Sequence, residues 1–325
     1  MDFATEQPKF IQLLVGLAVF GLVVAALLLF IDRAPKRGHE RWQILGFLAP
    51  AVLLLAVGLI VPAIRTTWLS FQNGDSSAWV GLDNYTWMFS QSDVLHVLRN
   101  TLIWVLLVPL LATTVGLVYA VLVDRARLES LAKSLVFMPM AISFVGAGII
   151  WKFVYAYRGD KDAQQIGLLN QIVVWFGGEP KQFLLNPPLN TIFLLIVMVW
   201  IQAGFAMVIL SAAIKAIPAD IIEAARIDGT NAWQLFWQIT LPSIRSSLVV
   251  VVVSISIATL KVFDIVRTMT GGQFDTSVIA NGMYDQAFRF GQTGRGSALA
   301  VFLFVLVLPI VIYQVRSLRH QREGR

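Results

Sequence analysis

The sequence predicts an all-α integral membrane protein with seven transmembrane helices, its N-terminus outside and its C-terminus cytoplasmic. Three observations carry that prediction. The 325 residues are 57% hydrophobic and only 14% charged, where a soluble domain carries about 45–50% apolar and about 25% charged residues. The apolar residues fall in uninterrupted runs of about 20, the length that crosses roughly 30 Å of hydrocarbon as a helix. Finally, the runs lack the period-2 alternation of barrel strands, and in lipid only helices and closed barrels satisfy every backbone N–H and C=O.

In chain order the runs are Phe10 to Ile31, Ile44 to Ile64, Thr101 to Val123, Leu135 to Tyr155, Thr191 to Ile214, Leu248 to Val266 and Ala298 to Val315. The first differs from a cleaved signal peptide. Asp2 and Glu6 accompany only Lys9 at its head, its apolar core is too long, and no small-residue cleavage site follows, so it reads as a retained anchor. Pro139 lies inside the fourth run and is expected to bend it. Trp42, Trp68, Trp87, Tyr155, Tyr157 and Trp175 lie near run ends and read as interface anchors. The connecting segments 65–100, 157–190 and 267–297 are long enough for short helices or a cap.

Lysine and arginine accumulate on the cytoplasmic side of a membrane. One set of loops holds fourteen of them: Arg33, Lys36, Arg37, Arg41, then Arg125, Arg127, Lys133, then Lys215, Arg226, Arg245, then Arg316, Arg319, Arg322, Arg325. The opposite set is longer in total and holds nine: Lys9, Arg65, Arg99, Arg158, Lys161, Lys181, Arg267, Arg289 and Arg295. The first set is therefore read as cytoplasmic.

The same composition excludes several classes. Without cysteine there is no disulfide scaffold, no thiolate metal site and no thiol catalysis. His39, His96 and His320 show no metal-ligand spacing. The net charge of +6 flanks apolar runs instead of forming a stripe on a polar domain, so no nucleic acid partner is expected. A membrane enzyme lacks its constellation, since the chain has neither a Walker A sequence nor a Gly-x-Ser-x-Gly elbow. Seven helices with an external N-terminus is also the plan of rhodopsins and G-protein-coupled receptors. The last run carries no Schiff-base lysine, however, and a receptor-type extracellular disulfide is impossible here.

Between the fifth and sixth runs lies a 31-residue segment, Lys215 to Arg245, with the marks of an ordered element. Pro218 fits the first turn of a helix, Asp220 and Glu223 put negative charge near its positive end, and Gly229 fits its stop. Ile221, Ala224, Ala225 and Asp228 are expected on one side, with Ile222 and Arg226 turned elsewhere. An apolar and aromatic piece, Trp233 to Ile239, leads on to Leu241-Pro242. One arginine among three acids is a poor polar face for a helix lying on lipid, and fits a helix that enters a protein groove better.

Glu223-Ala224-Ala225, three residues, Gly229, nine residues, Ile239, one residue and Leu241-Pro242 resemble the EAA loop of membrane subunits of ATP-binding-cassette importers. The wording from Ile217-Pro218 through Glu223-Ala-Ala-Arg-Ile-Asp228-Gly229 to Ile239-Thr-Leu-Pro242 is similar to the carbohydrate branch, the maltose-permease relatives. Three further stretches resemble that branch. They are Gly81-Leu-Asp-Asn84-Tyr85 with Arg99-Asn100-Thr101, Phe137-Met-Pro139, and Thr270-Gly271-Gly272 with Gly294-Arg-Gly296.

The resemblance implies a six-helix type I importer core over 42–316, with the coupling loop at 215–245 and a basic tail at 317–325. Residues 1–41 add an extra helix and basic linker, as in some disaccharide permeases. It further implies a non-catalytic permease in a bacterial or archaeal plasma membrane. Its partners would be a second permease subunit, a pair of cytosolic ATPase subunits that bind ATP and Mg, and an extracytoplasmic solute-binding protein. This chain would bind no cofactor or metal of its own. Ile221, Glu223, Ala224, Ala225, Arg226, Asp228 and Gly229 are then the ATPase-coupling residues, with Glu223 transmitting. The Gln273-Phe274-Asp275 ending of the Thr-Gly-Gly stretch resembles α-glucoside and disaccharide permeases, which implies a sugar of that kind. Glycerol phosphate or polyamine is the alternative cargo, although an anionic solute would favour arginines in mid-span and none is present.

Polar groups in mid-membrane are costly and face neighbours or a cavity. In the fifth run Trp200, Gln202 and Phe205 lie near mid-depth; in the sixth Ser256, Thr259 and Phe263 share a face. With Trp151 they form a candidate substrate pathway, because hydroxyls and amides beside rings suit a sugar. Small polar residues also mediate helix packing, and both readings stand at this point. Lys152 and Lys261 read as snorkelling lysines, and Asp264 is in reach of Lys261 at i, i+3.

Overall fold

The computed structural model describes residues 3–32, 39–124, 128–159 and 164–323, and among them every regular element is helical. Several charges weighed above, Arg33, Lys36, Arg37, Arg125, Arg127, Lys161 and Arg325, lie outside the described residues, as do the side chains of Lys9, Arg41, Trp42, Arg319 and Arg322. The chain forms two compact units, 1–66 and 67–325. The expected division at 41/42 is of another kind, resting on motif coverage and not on packing.

The first unit contains α1 (Phe3–Asp32) and α2 (His39–Leu55), which runs through a π turn (Ala56–Ile60) into α3 (Val61–Leu69), whose last three residues belong to the second unit. Gly46–Leu69 is one apolar span with side chains such as Leu54 and Leu59 fully outward. The described apolar part of α1 is the shorter stretch Phe10–Ala26.

The second unit continues with α4 (Asp83–Ser90), α5 (Ser92–Val123), α6 (Glu129–Phe137), a 3-10 turn (Met138–Ala141), α7 (Phe144–Val154), α8 (Leu168–Trp175) and α9 (Leu189–Lys215). After these come α10 (Ala219–Ile227), α11 (Ala232–Gln234), a π segment (Leu235–Thr240), α12 (Leu241–Ser243) and α13 (Arg245–Leu260). The remaining elements are α14 (Asp264–Met269), α15 (Ile279–Tyr284), a π turn (Asp285–Arg289) and α16 (Thr293–Glu323).

Among the described residues four helices are long and apolar enough to cross a membrane, and six if each of two bent pairs is one span. The pairs are Glu129–Ala141 with Phe144–Val154, bent by 103°, and Ala232–Ser243 with Arg245–Leu260, bent by 68°. The fourth predicted run is thus a broken span, and the bend expected at Pro139 takes the form of a break in the helix. Pro139 starts the break: it cannot donate to the helix ladder, and Ser143 restarts the helix by accepting from the Gly146 N–H at 3.1 Å.

The sixth run also departs from expectation, because its helix stops at Leu260 and resumes at Asp264. No proline or glycine marks that break. Tertiary packing causes it: α14 docks on α7, where Gly148 leaves only enough room for Thr268, and Ile265, Val266 and Met269 are buried.

α9 is the centre of the second unit. Water does not drive helices together in lipid, so their contact depends on close fit and small residues. On α5 the small residues Ala112, Gly116 and Ala120 recur every four positions and are buried. They face α9, where Ala203, Ala206, Met207 and Leu210 complete the contact. A Cβ on Gly116 would lie 2.5 Å from the Ala206 Cβ, so only glycine permits this crossing. Outward side chains such as Leu102, Leu106 and Leu110 remain exposed, as lipid-facing residues should.

Candidate functional site

Helix α10 is built by its two ends. Pro218 occupies the N-cap with its φ preset at −56°, Asp220 lies in the first turn, and Gly229 adopts φ +79° beyond the C-cap Asp228. The Gly229 N–H then donates to Arg226 O at 3.1 Å and the Thr230 N–H to Ala225 O at 3.2 Å, a Schellman closure reinforced by the Thr230 hydroxyl at 2.7 Å. The next piece is capped as firmly. Asn231 accepts from the Gln234 N–H at 2.8 Å, and the Asn231 N–H donates to the Gln234 side chain at 2.9 Å.

The two pieces pack on each other, burying Ala225 and Leu235. This corrects the expected grouping of faces. Ala225 turns inward with the half-buried Ile222, while Ile221, Ala224 and Asp228 point outward with Glu223 and Arg226. The reason is that the aromatic piece folds back under the 222/225 edge, so own-chain packing selects that face. Ile227 is 85% exposed and Trp233 70%, and the Trp233 and Trp237 rings meet at 5.5 Å. Glu223 makes no hydrogen bond or ion pair with any described residue. The whole unit presents apolar groups and an unengaged carboxylate outward.

The pathway candidates divide. Trp151 on α7 and Trp200 on α9 meet edge-to-face at 5.5 Å. Gln202 is buried, has no hydrogen-bond partner among the described residues, and keeps its amide atoms open to accessible space. Phe205 is half-buried further along α9. Ser256 and Thr259 are buried on α13, and their hydroxyls donate to the carbonyls of Val252 at 2.8 Å and Ile255 at 2.7 Å. Phe263 lies apart, with its ring 5.3 Å from Tyr284. Lys261 and Asp264 form no ion pair with each other or with any other described residue. Tyr155, read as an interface anchor, is only 3% exposed; it packs on Trp151, Phe183 and Phe193 and donates to Phe193 O at 3.1 Å.

Four buried asparagines fasten the connecting segments at the opposite end of the helices from α10. Asn84 donates to Ser70 O at 2.9 Å and Gln72 O at 2.7 Å. Asn170 donates to Ala156 O and Lys181 O at 2.8 and 3.0 Å. Asn100 holds the Thr-Gly-Gly loop through Asp275 O at 2.5 Å and Ser277 O at 3.1 Å, and Asn190 holds it through Phe274 O at 2.6 Å. Gly294 lies against the first clamp, where a Cβ would be 1.9 Å from Gln72 O. The short motifs at 81–85, 99–101 and 294–296 thus have a shared purpose that the sequence did not disclose. Asn84, Asn170 and Asn190 stand in the first turns of their helices, which was the available signal, whereas Asn100 lies in the third turn of α5. Asn100→Ala should cost about 1–3 kcal/mol through the two carbonyls it strands; a lower melting temperature with faster proteolysis at 270–278 is the expected result.

The family model described as binding-protein-dependent transport system inner membrane component matches residues 112–322. The chain belongs to that family. The permease is 50% identical over 279 residues to the osmoprotective compounds uptake permease protein GgtC of Synechocystis sp., covering 86% of this chain and 100% of that one. It is 48% identical to the alpha-glucoside transport system permease protein AglF of Rhizobium meliloti, covering 86% and 83%. Its fold matches a crystal structure of a bacterial ABC transporter involved in import of the acidic polysaccharide alginate. That match has a TM-score of 0.75 at 23% identity and covers 87% of the permease and 98% of the other chain. As an inner membrane component the permease is a non-catalytic subunit.

Proposed function

We propose that this permease is one of two membrane subunits of an ATP-driven importer, that it crosses the plasma membrane seven times with its N-terminus outside, and that α10 couples it to a cytosolic ATPase. The carrying observation is the construction of α10. Both of its ends are fixed, one edge is packed on its own chain, and Ile221, Glu223, Ala224, Arg226 and Ile227 are left outward beside exposed tryptophans. A rigid short helix of that kind suits a groove on a partner protein. Closure of ATP- and Mg-loaded ATPase subunits would then move α10 as a lever, and an extracytoplasmic binding protein would deliver the solute on the opposite face.

For the cargo, an α-glucoside is favoured by the likeness to AglF and by the Trp151–Trp200 ring pair, with the unengaged amide of Gln202 on another face of α9. Sugar C–H faces stack on rings, and sugar hydroxyls need amide partners. An osmoprotective compound is the second reading, favoured by the likeness to GgtC. The complex reconstituted with its ATPases, second permease and binding protein should hydrolyse ATP faster with α-glucosides. Stimulation by compatible solutes alone would replace the first reading by the second. Trp200→Ala should cut uptake about tenfold, the factor expected from one lost ring contact of about 1.4 kcal/mol, while stimulated hydrolysis persists. Unchanged uptake would remove Trp200 from the pathway.

A further inference from the structure

At the end of the second unit nearest α10, five side chains from three helices form one polar cluster. Lys133 on α6 is its hub, donating to Asp124 at the end of α5 at 2.5 Å, to Glu129 one turn earlier at 2.7 Å, and to Ser211 on α9. Ser211 donates in turn to Asp124 at 2.7 Å, and Lys215, the last residue of α9, pairs with Glu129. Exposed ion pairs contribute little. The inner part of this cluster is different in kind: the Asp124 side chain is 12% exposed and that of Lys133 21%, and Ser211 is buried within the face of α9 that packs on the core, while Lys215 at the outer edge is 53% exposed. Lys133 and Ser211 both engage Asp124 through Oδ1, Oδ2 is buried without a partner among the described residues, and the shared Lys133 hub is what holds the geometry.

The position of the cluster is what gives it meaning. Lys215 stands three residues before Pro218, which starts α10. Glu129 is the first residue of α6, the inner half of the span broken by 103° at Pro139. A second joint lies along the same pair of helices, where Gly204 of α9 lets the Val136 carbonyl approach so closely that a Cβ would be 2.6 Å from it. α6 is therefore fastened to α9 at both ends, by charge near α10 and by backbone contact near the bend.

We infer that this cluster is a clasp that carries displacement of α10 into the bent pair α6–α7, with Lys133 and Glu129 as positioning residues for transport. The inference rests on the coupling reading given above. Movement of α10 pulls on Lys215. The Lys215–Glu129 and Lys133–Ser211 contacts then oblige α6 to move with α9, so the break at Pro139 flexes and reorients α7, which carries Trp151.

The test uses the reconstituted complex and reads solute moved per ATP hydrolysed. Lys133→Met should lower that ratio about tenfold, the factor for one lost charge-assisted hydrogen bond, and Lys133→Arg should restore most of it. The protein has no cysteine, so Glu129→Cys with Lys215→Cys supplies the sole thiol pair. That variant should be uncoupled as free thiols and recover when a short bifunctional thiol reagent bridges them. A purely structural role would reduce assembled complex and both rates together; an unchanged ratio in Lys133→Met, or equal ratios with and without the bridge, overturns the proposal. Failure of the unaltered complex to link transport to hydrolysis would overturn the coupling reading instead.

Discussion

Gly229→Asp is expected to abolish uptake while leaving the permease inserted in the membrane. Gly229 has φ +79°, and nothing lies within 4 Å of the position a Cβ would take. The penalty is therefore conformational and not steric. A non-glycine residue in the left-handed region costs about 1–2 kcal/mol, and a carboxylate beside Asp228 at the negative end of α10 adds about 0.3–1 kcal/mol. Together these exceed what a nine-residue helix retains without its cap. The Schellman bonds open, Thr230 loses Ala225, and the outward face of α10 is no longer rigid. Uptake assays with immunodetection of the inserted protein separate the two effects. Gly229→Asn, which tolerates the same backbone and adds no charge, should retain substantial uptake. Equal transport by Gly229→Asp and the unaltered protein would show that the end of α10 has no part in coupling.

Gly116→Val is expected to prevent accumulation of folded protein altogether. Its Cβ would approach the Ala206 Cβ at 2.5 Å, the Met207 amide nitrogen at 2.8 Å and the Ala203 carbonyl at 2.9 Å. Two of those three are backbone atoms of α9, which cannot swing aside as a side chain does. Overpacking of a core costs about 1–3 kcal/mol where neighbours can shift, and the α5–α9 contact offers little shift because both helices are fixed by the core on either side. Gly21→Val is the matched control, since no atom lies within 4 Å of that position. The yield of monodisperse protein in detergent should collapse for the first and hold for the second.

Much of this architecture was legible because lipid imposes simple rules. The long apolar runs announced α5, α9 and α16, and Pro218 and Gly229 announced α10 to within a residue of each end, because cap chemistry is local. What the sequence hid is tertiary. The stop at Leu260 has no breaker residue, since docking of α14 on α7 decides it. Tyr155 looked like an interface ring and is instead the centre of an aromatic cluster, because a tyrosine near a run end reads alike whether neighbours cover it or not. The faces of α10 were misassigned for the same reason: at 100° per residue Ala224 and Ala225 differ too little in sequence for periodicity to rank them, and only the returning aromatic piece chooses.

The residues named for coupling were found close together on one element, whereas those named for the pathway are spread over α7, α9 and α13. Motif spacing encodes the first kind of site directly. The second is assembled by helix rotation, which no single run of sequence specifies.

The fastening of the two ends differs in chemistry. Near α10 the helices are tied by carboxylates and ammonium groups, while at the far end Asn84, Asn100, Asn170 and Asn190 tie loops through amides, beside the Arg267–Asp285 ion pair. A carboxylate tie weakens when the carboxylate takes up a proton, but an amide has no proton to gain or lose in ordinary acid. Knots of this kind stay tied in sour and neutral water alike, so acid that loosens the charged cluster near α10 leaves the asparagine-held loops in place.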